Sequence, residues 1–394
     1  MTSTRTYLDY NASAPLRAEA RAAMIAALEA GGNPSSVHAE GRKARAIVDM
    51  AREQVAALVG AKPSEVVFTS GATEANASVF AQRWGTMFVP GIEHTSVLAP
   101  AAANGGHVID IAAHGNGVAA VEEIAERVLR GGDFGPAVVA LQLANNETGV
   151  IQPVAETAAF ARTHDIFLHC DAVQAAGRVA IDMAELGVDT LSLSSHKIGG
   201  PKGAGALIIR DGVSLPVLMA GGGQERRRRG GTENVAAIAG FGVAAELAAR
   251  DVARAAQIKV LRDVLETAVL DLTPEAIILG AEAPRLANTS CIAWPGKLAE
   301  TLVIRLDLAG IAVSAGSACS SGKVGQSHVL AAIGLMPEIA GSAIRISLGP
   351  ETTARDCNAF LDAWRAIRGP REAVPQKFTA AGSGGPLHLS SGVH

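Results

Sequence analysis

Residues 190–210 read TLSLSSHKIGGPKGAGALIIR. The stretch opens on one apolar run and closes on another, GALIIR, with a Gly- and Lys-containing connection between them. Both runs have the composition of buried strands, and SSHK (Ser194–Lys197) falls at the end of the first. A lysine at a buried strand end must pair or lose its charge, and a depressed pKa is what a Schiff-base lysine needs. Taken alone, Lys197 also reads as a surface lysine following a strand.

The same texture extends upstream. VVFTS (Val66–Ser70), AVVALQL (Ala137–Leu143) and IFLHCD (Ile166–Asp171) read as further strands, separated by the helical TEANASVFAQRW and by a helix after Gln152. Continuous apolar strands alternating with helices predict an α/β fold, a mainly parallel sheet covered on both faces; the family resemblance described below implies that this sheet has seven strands. Ligand-binding residues then belong in the loops at the carboxyl ends of the strands. Downstream of about residue 260 the pattern changes to a helix, LRDVLETAVLDL, followed by shorter elements including AIRISLG (Ala343–Gly349). The expected division is a large domain over 13–260 and a smaller α+β domain from 1–12 and 261–374. A Gly- and Ser-rich tail, 375–394, is expected to be disordered.

The 394 residues are long enough for two such domains, and 34 Lys+Arg against 38 Asp+Glu argue against a general nucleic-acid or membrane-surface binder. Arg226–Arg229 is the local exception, read as a dimer-interface or salt-bridge cluster rather than a nucleic-acid patch. The four cysteines, Cys170, Cys291, Cys319 and Cys357, lack zinc-knuckle or CxxC spacing. No signal-peptide or membrane-length apolar run stands out, so a reducing cytoplasmic setting is expected.

Three loops add chemistry to Lys197. Asp171 ends a strand, where a carboxylate could hold a pyridine nitrogen protonated; it also reads as a helix cap. Gln174 follows three residues later and could bond a ring oxygen. SGATE (Ser70–Glu74) joins a strand to a helix, so the N–H groups of Ala72 and Thr73 could face a phosphate, with Ser194 and His196 as further donors. An ordinary capped helix explains that segment equally well. His94 could stack on a cofactor ring or serve as a polar loop residue. In VSAGSACSSGK (Val313–Lys323), Cys319 sits among Gly, Ser and Ala, the composition of a mobile loop with an exposed thiol. A tolerated surface cysteine is the alternative. Cys170, inside a strand, reads as core.

Together these segments resemble the cysteine desulfurases of the NifS/IscS type, fold-type I pyridoxal-phosphate (PLP) enzymes related to class V aminotransferases. The resemblance runs from YLDYNASAP at Tyr7 to SLG at Ser347–Gly349. It also takes in GNPSSVH (Gly32–His38), TSGATEAN, EHTSV, NNETGV (Asn145–Val150), DAVQ (Asp171–Gln174), SSHKIGGPKG, RRGGTEN (Arg228–Asn234) and SAGSACSSG. It implies Lys197 as the Schiff-base lysine, Asp171 at the pyridine nitrogen, His94 on the ring and Gln174 at the phenolic oxygen. Ala72, Thr73, Ser194 and His196 would hold the phosphate, and Asn145 would lie against the cofactor. Thr232 would reach the phosphate of a neighbouring subunit, implying a homodimer. Arg345, assisted by Asn33, would bind the substrate carboxylate. Cys319 would take sulfur from L-cysteine as a persulfide for an acceptor or iron–sulfur scaffold protein, with iron–sulfur cluster assembly or tRNA thiolation as destinations. No resident metal is implied, Cys319 being at most a transient iron–sulfur ligand.

The Cys319 loop matches the longer, SSGSAC-like form, while NASAP and Ala144 depart from the commonest pattern at positions without assigned chemistry. Selenocysteine lyase and class V aminotransferase are the rival activities; a catalytically idle sulfur-carrier or scaffold subunit is the rival of another kind.

Overall fold

The computed structural model describes residues 5–217, 219–316 and 326–369. Among these residues the strands are β1 (Thr6–Tyr7), β2 (Val66–Thr69), β3 (Thr86–Pro90), β4 (His107–Ile111), β5 (Ala137–Ala140), β6 (Phe167–Asp171), β7 (Thr190–Ser194) and β8 (Gly205–Ile209). They continue with β9 (Ile277–Leu279), β10 (Thr289–Ala293), β11 (Ile311–Ala312), β12 (Ser314–Ala315) and β13 (Ala343–Ser347).

Seven of them form the main sheet in the order β2-β8-β7-β6-β5-β3-β4. All neighbours from β7 to β4 are parallel, and β8 runs antiparallel to both β7 and β2. The connection from β7 to β8 spans only 195–204, shorter than the dozen or so residues that a parallel crossover needs. The chain therefore returns beside β7 in the opposite sense. Strand alternation supplies both faces of the core. Val139, Leu191 and Ile208 join one apolar cluster, while Val138, Ala140, Leu207 and Ile209 join another. This is why these strands read as continuous apolar runs.

A separate four-stranded antiparallel sheet has the order β12-β13-β10-β9. Its core contains Ile292, Trp294, Ile344, Phe360 and Trp364, and it also takes in Leu8 from the first segment and Ile258 from the helix Ala255–Leu272. The N-terminal segment thus packs with the C-terminal elements. Among the described residues no helix is long and apolar enough to cross a membrane.

The arginine cluster has a structural use. Glu225, Arg226 and Arg227 all adopt positive φ (46°, 56° and 67°), a left-handed run that costs each non-Gly residue about 1–2 kcal/mol. Glu225 is held in place from below: Arg52 Nη1 and Nη2 donate to its two carboxylate oxygens at 2.8 Å each, and the Phe68 amide donates at 2.9 Å. Arg229 pairs with Glu74 at 2.9 Å. Arg52→Ala strands the buried Glu225 carboxylate and is expected to cost about 3–5 kcal/mol, read as a lowered urea midpoint. A midpoint within experimental error of the parent would contradict this account of the turn.

Candidate active site

A cleft of about 600 Å³ opens at the carboxyl ends of β3, β6 and β7 and is lined by Ala72, Thr73, His94, Asp171, Gln174, Ser194, His196, Lys197 and Arg345. Residues separated by up to 273 positions in sequence, Ala72 to Arg345, therefore meet in one place. Each loop places its residue by ordinary means. After β2, the chain turns through Gly71 into the helix Ala72–Phe80. A Cβ at the facing Gly205 would lie 2.6 Å from the Gly71 backbone, so only glycine at 205 lets β8 pass this turn.

Asp171 closes β6. Its Oδ1 accepts from the Val173 amide at 3.0 Å and its Oδ2 accepts from Asn76 Nδ2 at 2.9 Å. Asn76 lies one helical turn beyond Ala72, on the same helix face. Its Oδ1 meets His169 Nε2 at 3.0 Å, and His169 Nδ1 meets Thr190 Oγ1 at 2.9 Å. This row, Asp171–Asn76–His169–Thr190, is buried and locks the carboxylate in one orientation. Burial pushes the His169 imidazole down to about 4, against a weaker opposing pull from Asp171. The unfolded chain therefore binds the extra proton between about pH 6.5 and 4, and His169 makes the native state lose stability as pH falls through that window. The stability difference between the parent and His169→Gln is expected to shrink by about 2 kcal/mol between pH 7 and 4.5, measured by urea unfolding at each pH. A difference independent of pH would contradict a neutral buried His169.

Lys197 ends the short 3₁₀ turn Ser195–Lys197 after β7. Its Nζ donates to the carbonyls of Asn11 at 2.6 Å and Ala12 at 3.0 Å. Asn11, fully buried, is a hub: its carbonyl also accepts from Gln174 Nε2 at 3.0 Å, and its amide nitrogen Nδ2 donates to the Asn146 carbonyl and Thr289 Oγ1. Arg178 holds the other end of the Gln174 amide. His94 caps the helix Thr95–Ala103, its Nδ1 accepting from the Ser96 amide at 3.1 Å. That bond leaves the proton of the neutral ring on Nε2. Burial holds its pKa down, Asp171 opposes, and Lys197 and His328 add to the lowering. His196 is pushed down to about 4 by burial, then by Lys197 and Lys202. Both rings are neutral at pH 7.

Arg345, on β13, is 2% exposed. Its Nη2 donates to Asp9 Oδ1 at 2.8 Å and its Nη1 to the Asn146 carbonyl at 3.1 Å. Its Nε is buried without an acceptor among the described residues. A guanidinium so placed, with donor capacity left over in a cleft, suits a carboxylate.

Asn145, Asn33 and Thr232 lie outside this chain's own cleft, Thr232 being the one expected to serve a neighbouring subunit's. Asn145 stands behind the cleft wall, where Oδ1 accepts from the Glu147 and Thr148 amides (2.9 and 3.0 Å) and Nδ2 donates to the Ile92 carbonyl. The turn consumes its amide, and the neighbouring Asn146 lines the cleft instead. Asn33 is exposed in the loop before the helix Ala39–Leu58, its Oδ1 accepting from Ser35 N at 2.9 Å, away from the cleft of its own chain. Thr232 is likewise exposed and outside that cleft. Cys319 lies outside the described residues. Cys170, Cys291 and Cys357 are buried, and burial raises all three thiols, Cys291 to about 12 and Cys357 to about 11. The residues that position the site, Asp9, Asn11, Asn76 and His169, are not singled out by the sequence pattern. The signal for Asn76 was its helical spacing from Ala72.

The Aminotransferase class-V pattern matches residues 6–360. Cysteine desulfurase IscS of Dictyoglomus turgidum is 38% identical over 373 residues, covering 92% of this chain and 94% of the relative. A cysteine desulfurase of Cereibacter sphaeroides is 41% identical over 374 residues, covering 91% and 94%. Among solved structures, a NifS-like protein from Rickettsia africae superposes with a TM-score of 0.85 at 34% identity, covering 92% of this chain and 99% of that one. The chain belongs to the class-V aminotransferase family and, within it, to the cysteine desulfurases.

Proposed function

We propose that this chain binds PLP in the cleft, removes sulfur from L-cysteine to leave L-alanine, and carries the sulfur as a persulfide on Cys319. The observation that carries the reading is the convergence of Lys197, Asp171 and Arg345 on one cleft. The residues present fit PLP: a buried, doubly hydrogen-bonded carboxylate for the ring nitrogen, a primary amine at a strand end, and the Ala72–Thr73 helix start with Ser194 and His196 for the phosphate. Bound there, PLP supplies an electron sink for charge developing at the substrate α-carbon.

The chain's own residues do the rest. Arg345 binds the substrate carboxylate through the N–H donors left over by its bonds to Asp9 and Asn146, held rigid by Asp9. Lys197 carries the α-proton, its amine steered by the two carbonyls of Asn11 and Ala12. His94, neutral with its proton on Nε2, offers a donor toward the cleft without adding charge beside Lys197. The Cys319 thiolate attacks the substrate sulfur. The carbon–sulfur bond of cysteine breaks, a sulfur–sulfur bond forms, and the former sulfur-bearing carbon ends as the methyl group of alanine. Cysteine plus the Cys319 thiol balances alanine plus the persulfide, with no outside oxidant.

The persulfide then passes to an acceptor or iron–sulfur scaffold protein. The working unit is a homodimer, with Thr232 of each subunit serving the other's cleft. Incubating PLP-loaded protein with L-cysteine and a thiol reductant is expected to yield alanine and sulfide in equal amounts. Formation of a keto acid instead would indicate an aminotransferase, and turnover of selenocysteine alone a selenocysteine lyase.

A further inference from the structure

One turn faces the cleft on one side and the flanks of the Cys319-bearing segment on the other. Asn146 lines the cleft and its carbonyl accepts from Arg345, while the next residue, Glu147, points away and is 2% exposed. Glu147 Oε2 accepts from Ser327 Oγ at 2.6 Å. The same oxygen stands 2.7 Å from where a Cβ would lie on Gly316, so a side chain at 316 would have to displace this buried carboxyl. One buried carboxyl thus touches the last described residue before 317–325 and the second described residue after it.

The re-entry point is fixed twice more. Ser327 Oγ accepts from the Leu330 amide at 3.1 Å, capping the helix His328–Ala332, and His328 Nε2 meets the Glu93 carbonyl at 2.8 Å, next to cleft residue His94. Cys319 follows Gly316 by three positions in the chain. Gly316 and Ser327 therefore fix the points from which the Cys319-bearing segment departs and to which it returns.

We propose that Glu147 is a positioning residue for sulfur transfer: it pins both ends of the Cys319-bearing segment to the turn that also carries the Arg345 contact. The assignment rests on the desulfurase reading and deepens it. Burial pushes the Glu147 carboxyl up to about 7, with Ser327 and Arg345 opposing, so much of it is a neutral acid near pH 7. Its tie to Ser327 is then a hydrogen bond that an amide can reproduce.

The test uses the PLP-loaded full chain and two readouts. Alanine formation from L-cysteine requires Cys319. Exchange of the α-hydrogen of L-alanine with deuterated water requires Lys197 and Arg345 but no thiol. Glu147→Ala and Ser327→Ala are expected to lower the maximal rate of alanine formation about tenfold or more, as misplacement of a reacting group does, while exchange stays within about twofold. Glu147→Gln, whose amide oxygen still accepts from Ser327, is expected to keep most of the rate. Equal losses in both readouts, unchanged alanine formation in Glu147→Ala, or a Glu147→Gln rate as low as that of Glu147→Ala would each overturn the assignment alone. Should Glu147→Ala fail to fold, Ser327→Ala and Glu147→Gln still decide it. An unsubstituted enzyme that forms no alanine from cysteine overturns the desulfurase reading and this assignment with it.

Discussion

Lys197→Ala is expected to fold, and to lose alanine formation from L-cysteine by a factor of at least about a thousand. The side chain ends the turn after β7 and reaches the cleft rather than the core, and its hydrogen bonds to the carbonyls of Asn11 and Ala12 are each worth about 1 kcal/mol. The loss of chemistry is of another order, because in the proposed mechanism the amine would be both the attachment point for PLP and the carrier of the α-proton. Lys197→Arg separates the two effects. It keeps a donor for the same carbonyls but cannot deprotonate, so it should be as inactive as the alanine variant while retaining the parent's stability. The measurements are alanine by chromatography, visible absorbance for bound PLP, and a urea midpoint. Turnover within tenfold of the parent would remove Lys197 from its role.

Cys319→Ala has the second large effect, and a different signature. PLP absorbance and α-hydrogen exchange of L-alanine are expected to persist, while alanine formation from L-cysteine falls at least about a hundredfold. No other cysteine among the described residues can take over. Cys170 and Cys291 are buried in strands, and burial holds the thiols of Cys170, Cys291 and Cys357 well above the range where a thiolate forms at pH 7. Cys170→Ser and Cys357→Ser are accordingly expected to keep the parent's rate of persulfide formation. Full cysteine turnover in Cys319→Ala would mean that sulfur leaves by a route other than this thiol.

Much of this organisation is legible in the residues. VVFTS, IFLHCD and GALIIR match β2, β6 and β8 within a residue at either end, whereas AVVALQL and TLSLSSHK each run three residues past the ends of β5 and β7. The sense of β8 is not in its composition. It follows from the length of the 195–204 connection, which only becomes informative once β7 and β8 are known to be neighbours. At the site, the residues placed in loops after the strands announce themselves by type and position, whereas those that aim them do not. Asn76 and His169 fix Asp171, and Asn11 fixes Lys197 and Gln174, through contacts that join positions far apart in the chain. Asn145 illustrates the converse. Its motif lies beside the cleft, yet the turn uses its amide internally and presents Asn146. Sequence alone does not say which of two adjacent asparagines faces the cleft, because the turn geometry decides it.

The most direct measurement is mass analysis of the enzyme after a single exposure to L-cysteine, with thiols and persulfides alkylated before digestion. The account predicts one additional sulfur on the peptide containing Cys319, in amount equal to the alanine released, and none on the peptides of Cys170, Cys291 or Cys357. Alanine released with no added sulfur at position 319 would contradict it.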